Sequence, residues 1–346
     1  MAISFVPATE QEFLDAAHHA GVVIALEQTS IWARYQATVT DRTPWRPFGT
    51  NVAGQELSHI KIVSDGETLG YITFIDMLTH GYHFLRSAHG PVWLHDVDAQ
   101  TEEEVARALV SFIHRTDSQV AFLRYSIDAE IPSSKPVLST RPYDSTVIID
   151  LSGGDDEILK RMKSRGRRDV RKALRENDDV CSDETSKALA DFSEYYAVME
   201  ETGARDGFVP APQRDYEDMI HTLGEQHCRV FAARNTEDVL TGWSIVTKYD
   251  SRAVRFYAAM RSDARRTHVT DKLLYAECCM LSQQGVKDYD LMGIGSDFAP
   301  TLKGLNEFKT KFVKDITHEA PERDVPVKKG FYWLLRMAKV VLKRGQ

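Results

Sequence analysis

Apolar residues recur along this chain with two alternating periods, one helical and one of strict alternation, the marks of amphipathic helices and half-buried strands. Residues 9–19 read as a short helix with Thr9 as N-cap and Glu12 three positions on, a capping-box spacing. VVIALEQ (22–28) reads as a strand and TSIWARYQATV (29–39) as a helix behind it. HIKIVSD and TLGYITFIDM form two strands around Asp65-Gly66, a hairpin signal. GYHFLRSAHGPVWL continues the sheet, with Gly90-Pro91 as punctuation. Residues 101–117 have helical spacing and an acidic first turn, and VAFLRYSID returns as a strand.

The segment 131–145 is rich in Pro and Ser and reads as a linker or crossover. A second series of elements follows. STVIIDLS (145–152) is a strand, and residues 155–177 are a long basic helix in which Gly166 is the weak point. Helices are predicted over 187–205 and 213–225, then three strands in CRVFAARN, LTGWSIVTKYD and AVRFYAAMRSD. Residues 269–285 form an amphipathic helix ended by Gly285, KDYDLMGIG is a strand, and LKGLNEFKTKF starts a final helix. Each half therefore predicts an α/β (α+β) fold with a mixed, mostly antiparallel sheet. No heptad run interrupts 213–260, so no coiled-coil arm is expected.

The length of 346 residues suits two domains, and 42% hydrophobic with 27% charged residues is a soluble globular mix. Net charge is −8, so a nucleic acid or anionic lipid must meet a local basic patch. Cys181, Cys228, Cys278 and Cys279 make no Cys-x-x-Cys pair and read as free thiols of a reducing compartment. The N-terminus lacks a cationic start with an apolar run, and nothing approaches the ~20 apolar residues of a membrane span. The expected location is cytoplasmic.

Three antiparallel strands, a short loop, a helix, a strand and an aromatic-Lys pair make up the order of the second half. That order resembles the GNAT (N-acetyltransferase) class. There a loop of the form R-x-x-G-x-G/A holds the coenzyme A pyrophosphate on backbone N–H groups and a helix N-terminus. Here the matching loop is Arg265-Arg266-Thr267-His268-Val269-Thr270. Both glycines are absent, and His268 and β-branched residues crowd the approach of a phosphate. This argues for an acyl donor other than acyl-CoA.

Further motifs give the resemblance a name. QTSIWARYQ (28–36), SAHGPVW, TVIIDLS with RGRRDVRKA, TGARDGF (202–208), and YDLMGIG (289–295) followed by GLNEFKTKF (304–312) run over nearly the whole chain. They resemble the FemABX family of peptidoglycan bridge-forming aminoacyltransferases, in its compact FemX-like form. The resemblance implies tandem GNAT-like domains around a cleft, 1–144 and 145–316, with 317–346 returning to pack on the first. It implies an aminoacyl-tRNA donor. The acceptor is the third-residue side-chain amine of a stem peptide on a UDP-linked or lipid-linked muropeptide precursor. No metal or organic cofactor is needed, because the ester is already activated. Lys309 and Phe308 fall on the family's Phe-Lys pair, Lys309 to stabilise the oxyanion or the departing oxygen and Phe308 to shape the pocket or stack on the terminal adenosine. Arg205 falls on the arginine that holds the precursor's diphosphate, and Tyr257 on a tyrosine of the same cleft. Where compact members place a phosphate-binding lysine this chain has Gln36, with Arg34 nearby as a substitute cation. Asp128 lies near the segment where a base is sought; substrate-assisted proton transfer is an equal alternative.

Plainer readings stand beside these. The nine Lys/Arg of 160–175 form either a solvated, ion-paired helix or a contact for the tRNA acceptor stem. The run 328–344 is either a helix docked on the first domain or a surface leaning on anionic lipid. His80, His83, His89 and His95 fit no standard zinc spacing. Cys278 and Cys279 read as inert helix thiols, and Trp32 and Phe312 as core anchors. The alternatives for the whole are an acyl-CoA-dependent N-acyltransferase, mycothiol-synthase-like tandem enzymes included, and an idle member that only binds tRNA or precursor.

Overall fold

The computed structural model describes residues 2–49, 57–138 and 142–344, with the side chains of the last helix as far as Lys339. Two compact units emerge, Met1–Asp144 with Glu319–Gln346, and Ser145–His318. The first unit opens with β1 (Ile3–Ala8), α1 (Glu10–His19), α2 (Ser30–Thr38), β2 (Arg42–Pro44), β3 (His59–Ser64) and β4 (Glu67–Ile72). It continues through β5 (Ile75–Thr79), β6 (Tyr82–Ser87), β7 (Val92–Trp93), α3 (Ala99–Thr116) and β8 (Val120–Ser126). Strands β1, β3, β4 and β7 pair in that order, all antiparallel, with the β3–β4 turn at Asp65-Gly66. Helix α3 starts at Asp98, whose carboxylate accepts from Thr101 N–H at 2.8 Å. It packs Val105, Ala106, Leu109 and Ile113 on Ile60, Ile62 and Ile72 of the sheet. Each such Val, Leu or Ile burial contributes about 1.5–3 kcal/mol.

VVIALEQ is not a strand. It is irregular and ends in a single 3-10 turn at Leu26–Gln28. The buried Gln28 amide donates to Ser87 Oγ at 3.0 Å and Ala88 O at 2.7 Å, and accepts from Thr73 N–H and hydroxyl. A buried amide that must meet all these partners fixes the local path more firmly than β propensity does. β1, by contrast, was not expected from the sequence.

The second unit runs β9 (Ser145–Asp150), α4 (Asp155–Arg161), α5 (Ser164–Glu176), β10 (Val180–Asp183), α6 (Thr185–Ala190), α7 (Ser193–Asp206) and α8 (Gln213–His227). Then come β11 (Cys228–Arg234), β12 (Leu240–Tyr249), β13 (Arg252–Met260), α9 (Val269–Gln283), β14 (Asp288–Gly293), α10 (Asn306–Lys309) and β15 (Thr317–His318). Its strands lie in the order β10-β11-β12-β13-β14-β9-β15. All neighbours are antiparallel except β13 and β14, which pair in parallel through Arg252–Asp288, Ala253–Tyr289 and Val254–Asp290 and then no further. The sheet is therefore open between Arg255–Met260 and Leu291–Gly293.

The predicted long basic helix is two helices, and the break is not at Gly166. Met162 and Lys163 are extended, and Lys163 N–H leaves the helix to donate to Lys311 O at 3.1 Å. Gly166 sits inside α5 because a β-carbon there would lie 2.3 Å from the same carbonyl oxygen. The helix predicted over 187–205 likewise splits at Asp191-Phe192, where Phe192 is buried against Tyr195, Tyr216 and Trp243. The final helix of the motif is three short turns, of which only Asn306–Lys309 is α-helical.

The chain's end belongs to the first unit. β16 (Glu322–Pro326) adds to the edge of the sheet ordered β16-β8-β6-β5-β2, and α11 (Lys329–Arg344) packs beside β8. Arg124 and Asp324 form a buried forked ion pair at 2.7 and 3.1 Å, to which Tyr332 OH and Leu138 N–H add bonds to Asp324. The segment read as a linker is also docked: Ile131 and Val137 are buried and Lys135 bridges Asp324 through its backbone. Residues 139–141 of that segment lie outside the described residues.

Candidate active site

The open end of the sheet in the second unit gathers the chemistry. Asp290 is buried at the last β13–β14 pair. Its carboxylate accepts from the Thr146 hydroxyl at 2.6 Å and from Met292 N–H at 2.7 Å. The second bond holds Met292 at φ +64°, a left-handed conformation rare for this side chain, within a bulge against β9. Such strain persists only where the surroundings over-determine it. The result turns the carbonyls of Met292 and Gly293 toward Lys309, whose amine donates to them at 3.2 and 3.0 Å. One of the three N–H groups of the ammonium has no partner among the described residues. Burial, with the Arg255 guanidinium nearby, pushes the Lys309 pKa down to about 8.

The motif around Lys309 is a mechanical unit. Asn306 clamps the backbone of Gly295, accepting its N–H at 2.7 Å and donating to its carbonyl at 2.8 Å. Gly295 has no room for a side chain, since a β-carbon would lie 2.3 Å from Lys303 N. Phe312 is buried in the core and Phe308 packs edge-on against it at 5.2 Å. Between them the Lys311 ammonium lies 5.1 and 5.3 Å from the two ring centroids. It also meets Asp271 of α9 at 2.5 Å and Asp169 of α5 at 3.3 Å. Sequence reasoning passed over Lys311, because an isolated lysine gives no sign of two carboxylates arriving from distant helices.

A second buried network backs the site. Glu277 of α9 accepts from Ser244, from Tyr289 at 2.5 Å and from Arg255 at 2.9 and 3.2 Å. The pair is almost fully buried, and the carboxylate keeps Arg255 firmly charged. No sequence signal marked these residues either.

The other candidates separate. Arg205 and Tyr257 both stand at the last part of β13, Tyr257 within the strand and Arg205 reaching its end from α7. Arg205 donates to Met260 O at 2.9 Å, and Thr202 holds both the N–H and the carbonyl of Met260. Arg205 also forks onto Asp206 at 2.9 Å twice, so an incoming phosphate must share it with that carboxylate. Tyr257 lies against Tyr216 at 4.8 Å and Phe256 at 5.1 Å, part of an aromatic wall. Since β13 and β14 are parallel, Arg205, Tyr257, Lys309 and Phe308 all belong to the same end of this sheet. Arg34 and Gln36 are on α2 of the first unit. Gln36 is buried, its oxygen taken by Arg42 at 2.9 Å, while Arg34 is exposed beside a shallow hollow lined by Ala37, Pro44 and Arg46. Asp128 is exposed in the first unit, its N–H donating to Glu102.

The loop before α9 does not present a row of amides. Arg265, Thr267, Asp271 and Lys272 spend their N–H groups on Ser262, Ala264 and His268 carbonyls, and His268 is left-handed at φ +59°. The carboxylate of Asp271 already occupies the first turn of α9, where a phosphate would seek the positive end of the helix. Among the described residues no three His, Cys, Asp or Glu side chains form a metal-binding group, and His83 is turned to Asp76 at 3.0 Å. Burial pushes the Cys279 thiol up to about 12, far from reactive.

Residues 164–310 match the family model for an acetyltransferase (GNAT) domain. The match spans most of the second unit, which has the GNAT-type fold. Among solved structures, FemX is similar over 96% of this chain and 99% of its own, at 17% identity and a TM-score of 0.70. The C-terminal domain of a putative lysylphosphatidylglycerol synthetase from Agrobacterium fabrum covers 96% and 97%, at 16% identity and a TM-score of 0.52. A tandem GNAT protein from the clavulanic acid biosynthesis pathway covers 94% and 99%, at 13% identity and a TM-score of 0.50. No curated protein sequence matches the chain. The whole chain has the FemX-like tandem acyltransferase fold that its motifs resemble, with mostly antiparallel sheets.

Proposed function

We propose that this protein is an aminoacyltransferase that moves an amino acid from aminoacyl-tRNA to the stem-peptide side-chain amine of a peptidoglycan precursor. The observation that carries the reading is the partly buried ammonium of Lys309 at the open end of the sheet, held by the carbonyls of Met292 and Gly293, in a scaffold whose loop before α9 spends its N–H groups on its own carbonyls. The acceptor nitrogen attacks the ester carbonyl, a C–N bond forms, and the C–O bond to the ribose breaks. The proton lost by nitrogen ends on the departing ribose oxygen. The free N–H of Lys309 is suited to the oxyanion or to that oxygen. No metal or organic cofactor enters.

The basic face of α5 supports a tRNA partner. Arg165, Arg168, Arg171, Lys172 and Arg175 are exposed, and Arg165 bonds Glu307 at 2.6 Å, two residues from Lys309. Backbone phosphates are held by such rows in a salt-dependent way. Arg205 is the candidate for the precursor's diphosphate, and Tyr257 for its pocket wall; Arg34 and Gln36 are further candidates for binding the acceptor from the first unit. The named product of the lysylphosphatidylglycerol synthetase relative, a lysylated lipid, is in keeping with aminoacyl rather than acetyl transfer.

The test is a filter assay with charged tRNA and a UDP-linked muropentapeptide, repeated with a lipid-linked one. Labelled amino acid in the precursor is expected; none with either acceptor overturns the reading. The GNAT family match favours one rival, acyl-CoA transfer, which calorimetry with acetyl-CoA addresses: micromolar binding would favour it.

A further inference from the structure

Helix α11 has one face committed and one not. Tyr332 is buried and Leu335 packs beneath the helix with Phe84, Ala121 and Phe122. Lys339 reaches back to Val137 O. On the opposite face Trp333 is 59% exposed, Leu334 57% and Met337 45%. Positions 333, 334 and 337 lie within one stripe of an α-helix, so the three side chains form a continuous apolar ridge. Lys329 and Arg336 flank it, both exposed, beside a cavity of about 700 Å³ that also takes Lys135 and the ion pair of Arg107 with Glu103, so that cations outnumber carboxylates there. No acidic residue follows Asp324, in a chain whose net charge is −8.

We propose that this face of α11 docks on an anionic lipid bilayer, lying in the plane of the headgroups. The ridge alone would fit several apolar occupants. The cations along it, against the negative charge of the whole protein, select a negatively charged surface, and an exposed tryptophan between cations suits the headgroup depth. Among the described residues no helix is long and apolar enough to cross a membrane, so the contact is peripheral. A single basic residue near an anionic surface contributes about fivefold in affinity, which makes binding reversible and salt-sensitive. The proposal stands apart from the transfer chemistry and does not need it.

The test uses the full chain and sedimentation with two vesicle types, phosphatidylcholine alone and phosphatidylcholine with about 30% phosphatidylglycerol. Binding to the anionic vesicles is expected to be at least tenfold tighter, and to be lost at 0.5 M NaCl, roughly the regime where screening is strong. Trp333→Ser with Met337→Ser should weaken it at least tenfold while the circular dichroism melt is unchanged. Lys329→Glu with Arg336→Glu, a second pair that leaves the ridge intact, should do the same. Equal binding to both vesicle types, or no effect of either pair, overturns the proposal. So does a ridge variant that converts a dimer to a monomer with vesicle binding intact, or one that weakens tRNA retention instead.

Discussion

Arg255 of β13 and Glu277 of α9 form a forked ion pair almost without solvent access, completed by Ser244 and Tyr289. Removing one partner strands the other. Glu277→Gln should therefore cost about 3–5 kcal/mol in urea unfolding, because the Arg255 charge stays buried. Arg255→Met with Glu277→Leu should recover most of that loss. A single variant within about 1 kcal/mol of the parent would show that water reaches the pair.

Lys309→Met should keep the fold and lose transfer at least tenfold, with about 2.7–4 kcal/mol as the usual contribution of one oxyanion donor. Single-turnover rates and a thermal melt on the same sample decide it. Unchanged turnover removes Lys309 from the mechanism.

The charge of Lys309 gives a pH signature. Its folded pKa, about 8, is below the ordinary 10.5, so only the ammonium below about pH 8 can serve the oxyanion. The rate ratio of the parent to Lys309→Met should fall as pH rises through about 8, a comparison in which acceptor ionisation and ester hydrolysis cancel. Stability runs the other way. The folded state disfavours the ammonium, so the penalty is fully present below about pH 8 and is relieved between there and 10.5. A ratio that rises through pH 8 would instead make the amine a base.

Arg205→Ala should raise the apparent KM for the muropeptide by about tenfold, the loss expected for one charged hydrogen bond, and leave the tRNA KM nearly unchanged. Steady-state titration of each substrate separates the two. An equal effect on both would mean that the fork onto Asp206 and Met260 only braces the end of β13.

Much of the architecture was legible because local chemistry and tertiary demand agreed. Thr9 does cap α1, accepting Glu12 N–H at 3.0 Å, and Asp65-Gly66 does turn β3 into β4. The misses lie where a distant partner decides. Gln28 trades a strand for buried amide bonds, and Met162-Lys163 breaks a helix to reach the Lys311 carbonyl. β10, β15 and β16 are short strands with polar residues and no clear alternation, which only their neighbours across the sheet make strands. Within the candidate site, the Phe308-Lys309 motif was readable as a pattern. The Lys311–Asp169–Asp271 contact was not, since its members are separated by at least 40 positions.

Because β16 completes the edge of the sheet in the first unit, that unit cannot finish until residues 322–326 have been made and have left the ribosome. Arg124, made early, gains its forked carboxylate partner when Asp324 arrives 200 residues later. The second unit lies wholly between them and can mature first. A released chain truncated after residue 318 should then carry a folded centre and a protease-sensitive beginning, the reverse of the order in which the two are synthesised.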